Sequence, residues 1–168
     1  MEVLKKNSKL KVLALENLGD KDAAALAKVL AGSGVEYLEI QSSYISDRGA
    51  AELAEALKNS TLSKLDLFMN DIGDKGALEM AQALEGNSTL VSFGLSCCRV
   101  TEKGATALAK SLNNSVLEHL DLSGNKLGNK CCVEFRHALE ENSTLVSLSL
   151  SNGITDEGAT ALVEALTR

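Results

Sequence analysis

Apolar and polar residues alternate over short stretches of the chain, as in Leu65-Asp66-Leu67, Leu120-Asp121-Leu122 and Leu148-Ser149-Leu150. Period two predicts a strand with one buried face. A few residues later Ile72, Val100 or Leu127 turns inward again. Small caps and acids come next: Ser46-Asp47, Thr101-Glu102, Thr155-Asp156. Hydroxyls there accept orphan amides of a helix start, and acids favour its positive end. The pattern then changes to helical spacing, with Ala50, Leu53, Ala54 and Leu57 in one place and Ala77, Met80, Ala81 and Leu84 in another. Each predicted helix is about 10 to 12 residues long, too short to persist unless its neighbours bury it.

The strand-helix unit is written six times, starting at Leu10, Val35, Leu62, Leu90, Leu117 and Leu145, in steps of 25, 27, 28, 27 and 28 residues. Such a period means a stacked array in which each unit buries its apolar face against the next. Strand, helix and parallel strand in succession give a right-handed coil. Strands about 4.8 Å apart form the inner wall. The bulkier helices spread on the outside, so the stack curves with its strands concave. The expectation is one α/β array over residues 1–168. Residues 1–9 are expected to be the end of a preceding helix, because Val3-Leu4-Lys5-Lys6-Asn7-Ser8-Lys9 parallels Ala56-Leu57-Lys58-Asn59-Ser60-Thr61. No polar cap is visible at either end, whereas arrays normally need one. Two expectations follow: a segment of a longer protein, or end-to-end self-association through the terminal repeats.

The unit LxxLxLxxNxIxDxGAxxLAxAL resembles the leucine-rich repeat, specifically its ribonuclease-inhibitor-like class, over essentially the whole chain. The resemblance implies a right-handed leucine-rich-repeat solenoid, a horseshoe segment with a parallel β-sheet on the concave face and α-helices on the convex face. It also implies protein-protein binding on the concave face and loop rims. The matching residues are packing columns, so the resemblance is silent on the partner. Departures from the pattern are local. The Asn column reads Ser43, Asn70, Cys98 and Asn125, with Asn152 one residue early in the last copy, and the loops at Ser43 and Cys98 are expected to be looser. Cys131 replaces Gly in the fifth copy. Arg136 stands in a column otherwise filled by Ala27, Ala54, Ala81, Ala109 and Val163, its stem expected to run out over the helix edge.

Composition narrows the function classes. Net charge is −6 and the pI about 5.0, which argues against nucleic acid, because phosphates want clustered Lys and Arg. No apolar run approaches a membrane span. Met1 to Lys11 reads as no signal peptide, since its lysines precede no apolar core. The adjacent pairs Cys97-Cys98 and Cys131-Cys132 are poor disulfide partners. They fit a reducing compartment and lack the spacing of a zinc site, so no metal or other cofactor is expected. The expected location is cytoplasmic, which includes an effector acting in a host cytosol. Asn59-Ser60-Thr61, Asn87-Ser88-Thr89, Asn113-Asn114-Ser115 and Asn142-Ser143-Thr144 match the glycosylation sequon. They recur in register where a helix must stop, and Asn tolerates the left-handed conformation wanted there. A column of Lys21, Arg48, Lys75, Lys103 and Lys130 beside Asp20, Asp47, Asp74, Glu102 and Asn129 reads as a solvated charge ladder.

Residues flanking the strand leucines face the concave side. Tyr37, Phe68 and the adjoining Met69 make an aromatic-apolar spot, while Glu39, Asp66 and Asp121 make an acidic row. Gly94 leaves a dip between Lys64-Asp66 and His119-Asp121. An exposed Phe is a recognised interface anchor, whereas Phe93 and Phe135 fall in buried Leu columns. The candidate partner-binding residues are therefore Tyr37, Glu39, Gln41, Asp66, Phe68, Met69, His119 and Asp121. His119 and His137 are the only histidines, and neither is expected within reach of a nucleophile: Cys97 and Ser123 fall about 16 and 13 Å away by the strand rise. With no P-loop or metal motif, the expected function is a non-enzymatic protein-interaction module. Alternatives are a segment of a larger sensor or effector of the NOD-like-receptor or bacterial type, and a GTPase-activating protein of the Ran type acting through Arg99.

Overall fold

In the computed structural model, residues 9–150 and 153–167 are described. The expected tail of a helix at 1–9 therefore lies almost wholly outside the described residues, as do Ser151 and Asn152. Strands and helices alternate: β1 (Val12–Glu16), α1 (Asp20–Leu30), β2 (Tyr37–Gln41), α2 (Asp47–Leu57), β3 (Lys64–Asp66), α3 (Asp74–Leu84), β4 (Ser92–Gly94), α4 (Glu102–Ser111), β5 (His119–Asp121), α5 (Asn129–Glu141), β6 (Ser147–Ser149) and α6 (Asp156–Leu166). A 3-10 turn over Leu112–Asn114 extends α4. The six strands form one parallel sheet in sequence order. Their register places Leu38, Leu65, Phe93, Leu120 and Leu148 side by side. Each side chain of this inner column covers the gap left by its neighbour.

The core lies between sheet and helices. Leu65, Phe93 and Leu120 face inward from the strands, and Leu53, Met80, Leu108 and Phe135 meet them from the helices, all essentially inaccessible. Alanines at Ala50, Ala77 and Ala105 are completely buried. A bare Cβ there brings each helix axis close to the next, so this α/β solenoid packs without a large aromatic core.

Polar groups hold neighbouring repeats together at fixed positions. Asn70 Oδ1 accepts the Ile45 amide at 3.0 Å, and its Nδ2 donates to the carbonyls of Ile40 at 2.8 Å and Leu67 at 3.1 Å. Asn125 makes the same set with Val100, Leu95 and Leu122. Ser43 keeps only the bond from Leu18 and one to its own loop at Gln41, and Cys98 keeps a thiol bond to Leu67.

Two of the sequon asparagines, Asn87 and Asn142, work differently from the expectation. Asn142 closes α5 at φ −79, outside the left-handed region. Its Nδ2 donates to Leu112 O of the preceding repeat at 2.9 Å, while Oδ1 accepts the amides of Thr144 and Leu145. Asn87 repeats the set with Leu57, Thr89 and Leu90. The left-handed residue on that side is Gly86, at φ +78. At these two positions the asparagine is thus a tie between repeats, and its carboxamide is already occupied.

The acidic stripe is also corrected. Asp20 Oδ1 accepts the amides of Ser46 and Gly49, and Oδ2 accepts the Ser46 hydroxyl at 2.6 Å. Asp47 accepts from Gly73 and Gly76, and Asp74 from Thr101 and Gly104. Glu102 accepts the Lys130 amide, and Asn129 accepts the Thr155 amide while donating to its hydroxyl. Each is the first residue of one helix and caps the next, satisfying orphan amides that a helix cannot satisfy alone. The stripe is a bracket between repeats rather than a solvated ladder. It also explains the glycine column. A Cβ at Gly49 would fall 2.5 Å from Asp20 Oδ1, and one at Gly104 would fall 2.9 Å from Asp74 Oδ1. Where the acid lengthens to Glu102, it bonds the Lys130 amide instead and the column admits Cys131. Arg136 leans across the helix edge to Glu164, Nη1 to Oε2 at 2.8 Å, a further inter-repeat tie.

Candidate functional site

The concave face is built by strand alternation. Residues that flank the buried leucines on β2 to β5 have nowhere to point except the open side. Register aligns Tyr37, Lys64, Ser92 and His119 in one row, and Glu39, Asp66, Gly94 and Asp121 in the next. Most are half-buried by their neighbours, and His119 is exposed.

At the second repeat the Tyr37 hydroxyl donates to Glu39 Oε2 at 2.6 Å. That bond, together with burial, pushes the phenol up to about 12. Lys64 Nζ lies 4.4 Å from the Tyr37 ring centroid, a cation on an aromatic face. Asp66 Oδ1 accepts the Phe68 amide at 3.1 Å, and Asp121 Oδ1 accepts that of Ser123 at 2.9 Å. Burial raises the Asp66 carboxyl above its ordinary value. The Phe68 amide and Lys64 oppose the rise, and the charges of Glu39 and Asp121 add to it. None of the ion pairs among the described residues involves Glu39, Asp66 or Asp121.

Phe68 and Met69 leave β3 toward the rim. Phe68 is half-buried; Met69 is half-exposed, with φ +55. Its column reads Asn17, Ser42, Met69, Cys97 and Gly124, and every member has positive φ. Left-handed backbone suits Gly and Asn and is strained for longer side chains. Two residues on lies Tyr44, 75% exposed, in the column of Asp71 and Arg99. Sequence reasoning left Tyr44 out of the site. The available signal was its place between the inward Asn column and the inward Ile column, where an aromatic has no core to enter. Arg99 Nε pairs with Asp71 Oδ1 at 2.6 Å.

The structure thus gathers Tyr37, Glu39, Gln41, Asp66, His119 and Asp121 on the sheet face, and sets Phe68 and Met69 on the adjoining rim. Among the described residues, no group of three or more His, Cys, Asp and Glu could hold a metal ion. None of the helices described is long and apolar enough to cross a membrane. The Cys131 thiol is pushed up to about 12 and that of Cys98 to about 11, burial being the main cause in each.

The family model for the leucine-rich repeat matches residues 58–81, 86–109, 113–132 and 141–163, more than half of the chain. The chain belongs to the leucine-rich-repeat family. Solved structures agree on the fold of this leucine-rich-repeat protein. The tropomodulin C-terminal domain of Caenorhabditis elegans superposes with a TM-score of 0.60 at 18% identity, covering 99% of this chain and 88% of that one. A leiomodin-1 structure, named for actin-binding site 2, superposes with a TM-score of 0.59 at 18% identity, covering 99% and 85%. No curated protein matches the sequence significantly.

Proposed function

We propose that this leucine-rich-repeat protein is a non-enzymatic interaction module that binds a protein partner on its concave face and ascending-loop rim. The observation that carries the reading is Met69. A long apolar side chain occupies a left-handed position that Asn17 and Gly124 fill with less strain in sister repeats. It is held half-exposed beside Phe68, one strand from Tyr44. Strain kept at an exposed apolar residue runs against stability and toward use at a surface. The actin-binding label of the leiomodin neighbour supports a binding role for such arrays in general. At 18% identity it transfers no partner. The GTPase-activating alternative loses support, because Arg99 is already paired with Asp71.

The test is affinity capture from cells of the source organism, using wild type, a Phe68→Ala/Met69→Ala double variant and a Leu78→Ala variant on the convex side, where Leu78 is also exposed. Proteins captured by wild type and Leu78→Ala but lost from the rim variant, with thermal midpoints unchanged, are the expected result. Equal capture by all three refutes the placement of the site.

A further inference from the structure

The concave face carries an unresolved electrostatic cost. Glu39 and Asp66 are cross-strand neighbours, and Asp121 follows with only Gly94 between. Like charges directly opposite one another on a sheet destabilise it. In the bracket at the helix starts, the same residue types are satisfied by amides of the next repeat. On the concave face they accept only a local amide or a tyrosine hydroxyl, and among the described residues none forms an ion pair with a Lys or Arg, although the charge of Lys64 acts on Asp66.

Gly94 shapes this row. It has no positive φ that would require glycine, so its missing side chain serves space rather than backbone conformation. The space is an open depression of about 160 Å³ lined by Lys64, Asp66, Ser92, His119 and Asp121, among others. Asp66 leans into it: a Cβ on Gly94 would sit 3.0 Å from Asp66 Oδ1. The face has already drawn one cation of the chain's own, Lys64, onto the Tyr37 ring beside Glu39.

Resting on the concave-face reading above, we infer that the partner presents a basic segment to this sheet, with one cationic side chain seated over Gly94 between Asp66 and Asp121. Charge complementarity selects the occupant: carboxylates on either side of a gap in the middle of the face, and an aromatic ring beside them. Arginine suits the gap best, since its planar fork meets carboxylates two donors at a time. Burial and the charges of Glu39 and Asp121, which raise the Asp66 carboxyl, are the features a bound cation would offset.

The probe is a fluorescently labelled nona-arginine peptide, titrated by anisotropy at physiological salt. Asp66→Asn/Asp121→Asn is compared with a charge-matched variant on exposed convex positions, Glu52→Gln/Glu79→Gln. The concave variant is expected to bind about tenfold more weakly, from the loss of two partly shielded charge-assisted contacts. The convex variant is expected to change affinity by less than about twofold, since exposed charges act mainly through screened long-range attraction. Gly94→Lys, which supplies the cation internally, is expected to lose binding as the double Asn variant does. Equal weakening by the concave and convex pairs, or undiminished binding by both Gly94→Lys and the concave pair, overturns the inference. The two readings fail separately. If capture depends on Phe68 and Met69 but not on Asp66 and Asp121, the face binds a partner that is not basic there. If it depends on neither pair, the concave site itself is wrong.

Discussion

Replacing Asp74 isolates what the bracket between repeats is worth. Its Oδ1 accepts the Thr101 amide at 2.7 Å and the Gly104 amide at 3.0 Å, and Oδ2 accepts the Thr101 hydroxyl at 2.6 Å. Asp74→Ala strips three bonds from the start of α4 and leaves the Gly104 amide buried without its partner. A charge-assisted bond contributes about 1.5 to 3 kcal/mol, and a lost helix cap costs about 0.5 to 2 kcal/mol. The Thr101 side of the site is exposed, so the low end applies and the total loss should be about 2 to 4 kcal/mol. The chain supplies its own control. Asn129 makes the homologous bracket to Thr155 with an amide, 2.9 Å to the backbone nitrogen and 2.8 Å to the hydroxyl. Asp74→Asn should therefore keep most of the geometry and cost about 1 kcal/mol or less. Urea denaturation followed by circular dichroism measures both. In an array coupled to nearest neighbours, hydrogen exchange should show the loss centred on α3 and α4. An Asn variant as damaged as Ala would refute the hydrogen-bond account in favour of charge alone. An Ala variant costing under about 0.5 kcal/mol, the level of an ordinary surface change, would refute the bracket itself.

Asp66 gives a pH prediction with a definite sign. Its folded-state carboxyl lies above the ordinary value of 3.8. Its contribution to stability is therefore present below that value and lost as pH rises through the folded one. Asp66→Asn should melt higher than wild type at pH 7, with the gap closing below about pH 4; a gap that widens on acidification would contradict the assignment. Asp20 has the opposite sign. Burial alone would raise it, but the Ser46 hydroxyl, the Ser46 and Gly49 amides and the Arg48 charge outweigh burial and lower it. Asp20→Ala should thus cost most above the ordinary carboxylate range and progressively less as pH falls through the folded value, read from melts across that range. Among the cysteines, Cys97 is exposed while Cys131 and Cys132 are buried with raised thiols. A thiol reagent at pH 7 should label Cys97 rapidly and the buried pair only on unfolding, and mass mapping of the labelled peptides would decide it.

Legibility followed from which forces act along the sequence and which act across it. The strand alternation and the Ala, Leu and Met spacing of the helices are local patterns, and they gave the α/β solenoid and its concave sheet directly. Phe93 and Phe135 were readable as core because each stands in a column of leucines, and both are essentially inaccessible. What resisted reading was the use of acidic side chains 26 to 29 residues from their partners, such as Asp20 with Ser46 and Gly49. The sequence displays Asp74 beside Lys75, so the nearest charge seemed its natural partner. The fold gives it Thr101 and Gly104 instead. The sequon asparagines Asn87 and Asn142 were likewise assigned a backbone conformation, when the fold uses their carboxamides. Tyr44 was missed because an exposed aromatic produces no periodic signal.

Two rows of carboxylates run through consecutive repeats, and their surroundings separate structure from function. In the helix-start row every oxygen that brackets a neighbour is matched to an amide or hydroxyl of the same chain. The residue there with a resolved shift, Asp20, moves down. In the strand row Asp66 and Asp121 line an open depression, register sets Asp66 directly beside Glu39, and Asp66 moves up. The chain stabilises charge in the first row and tolerates it in the second. Folding alone would favour a neutral residue in place of Asp66, such as the Ser149 that the sixth strand carries at the same register position. Glu39 and Asp66 lie in the repeats that also carry Tyr37, Phe68 and Met69, and Asp121 lies two strands further on, across Gly94. That coincidence separates a binding face from a merely acidic surface, since a surface selected for solubility would spread its charge where repulsion is least.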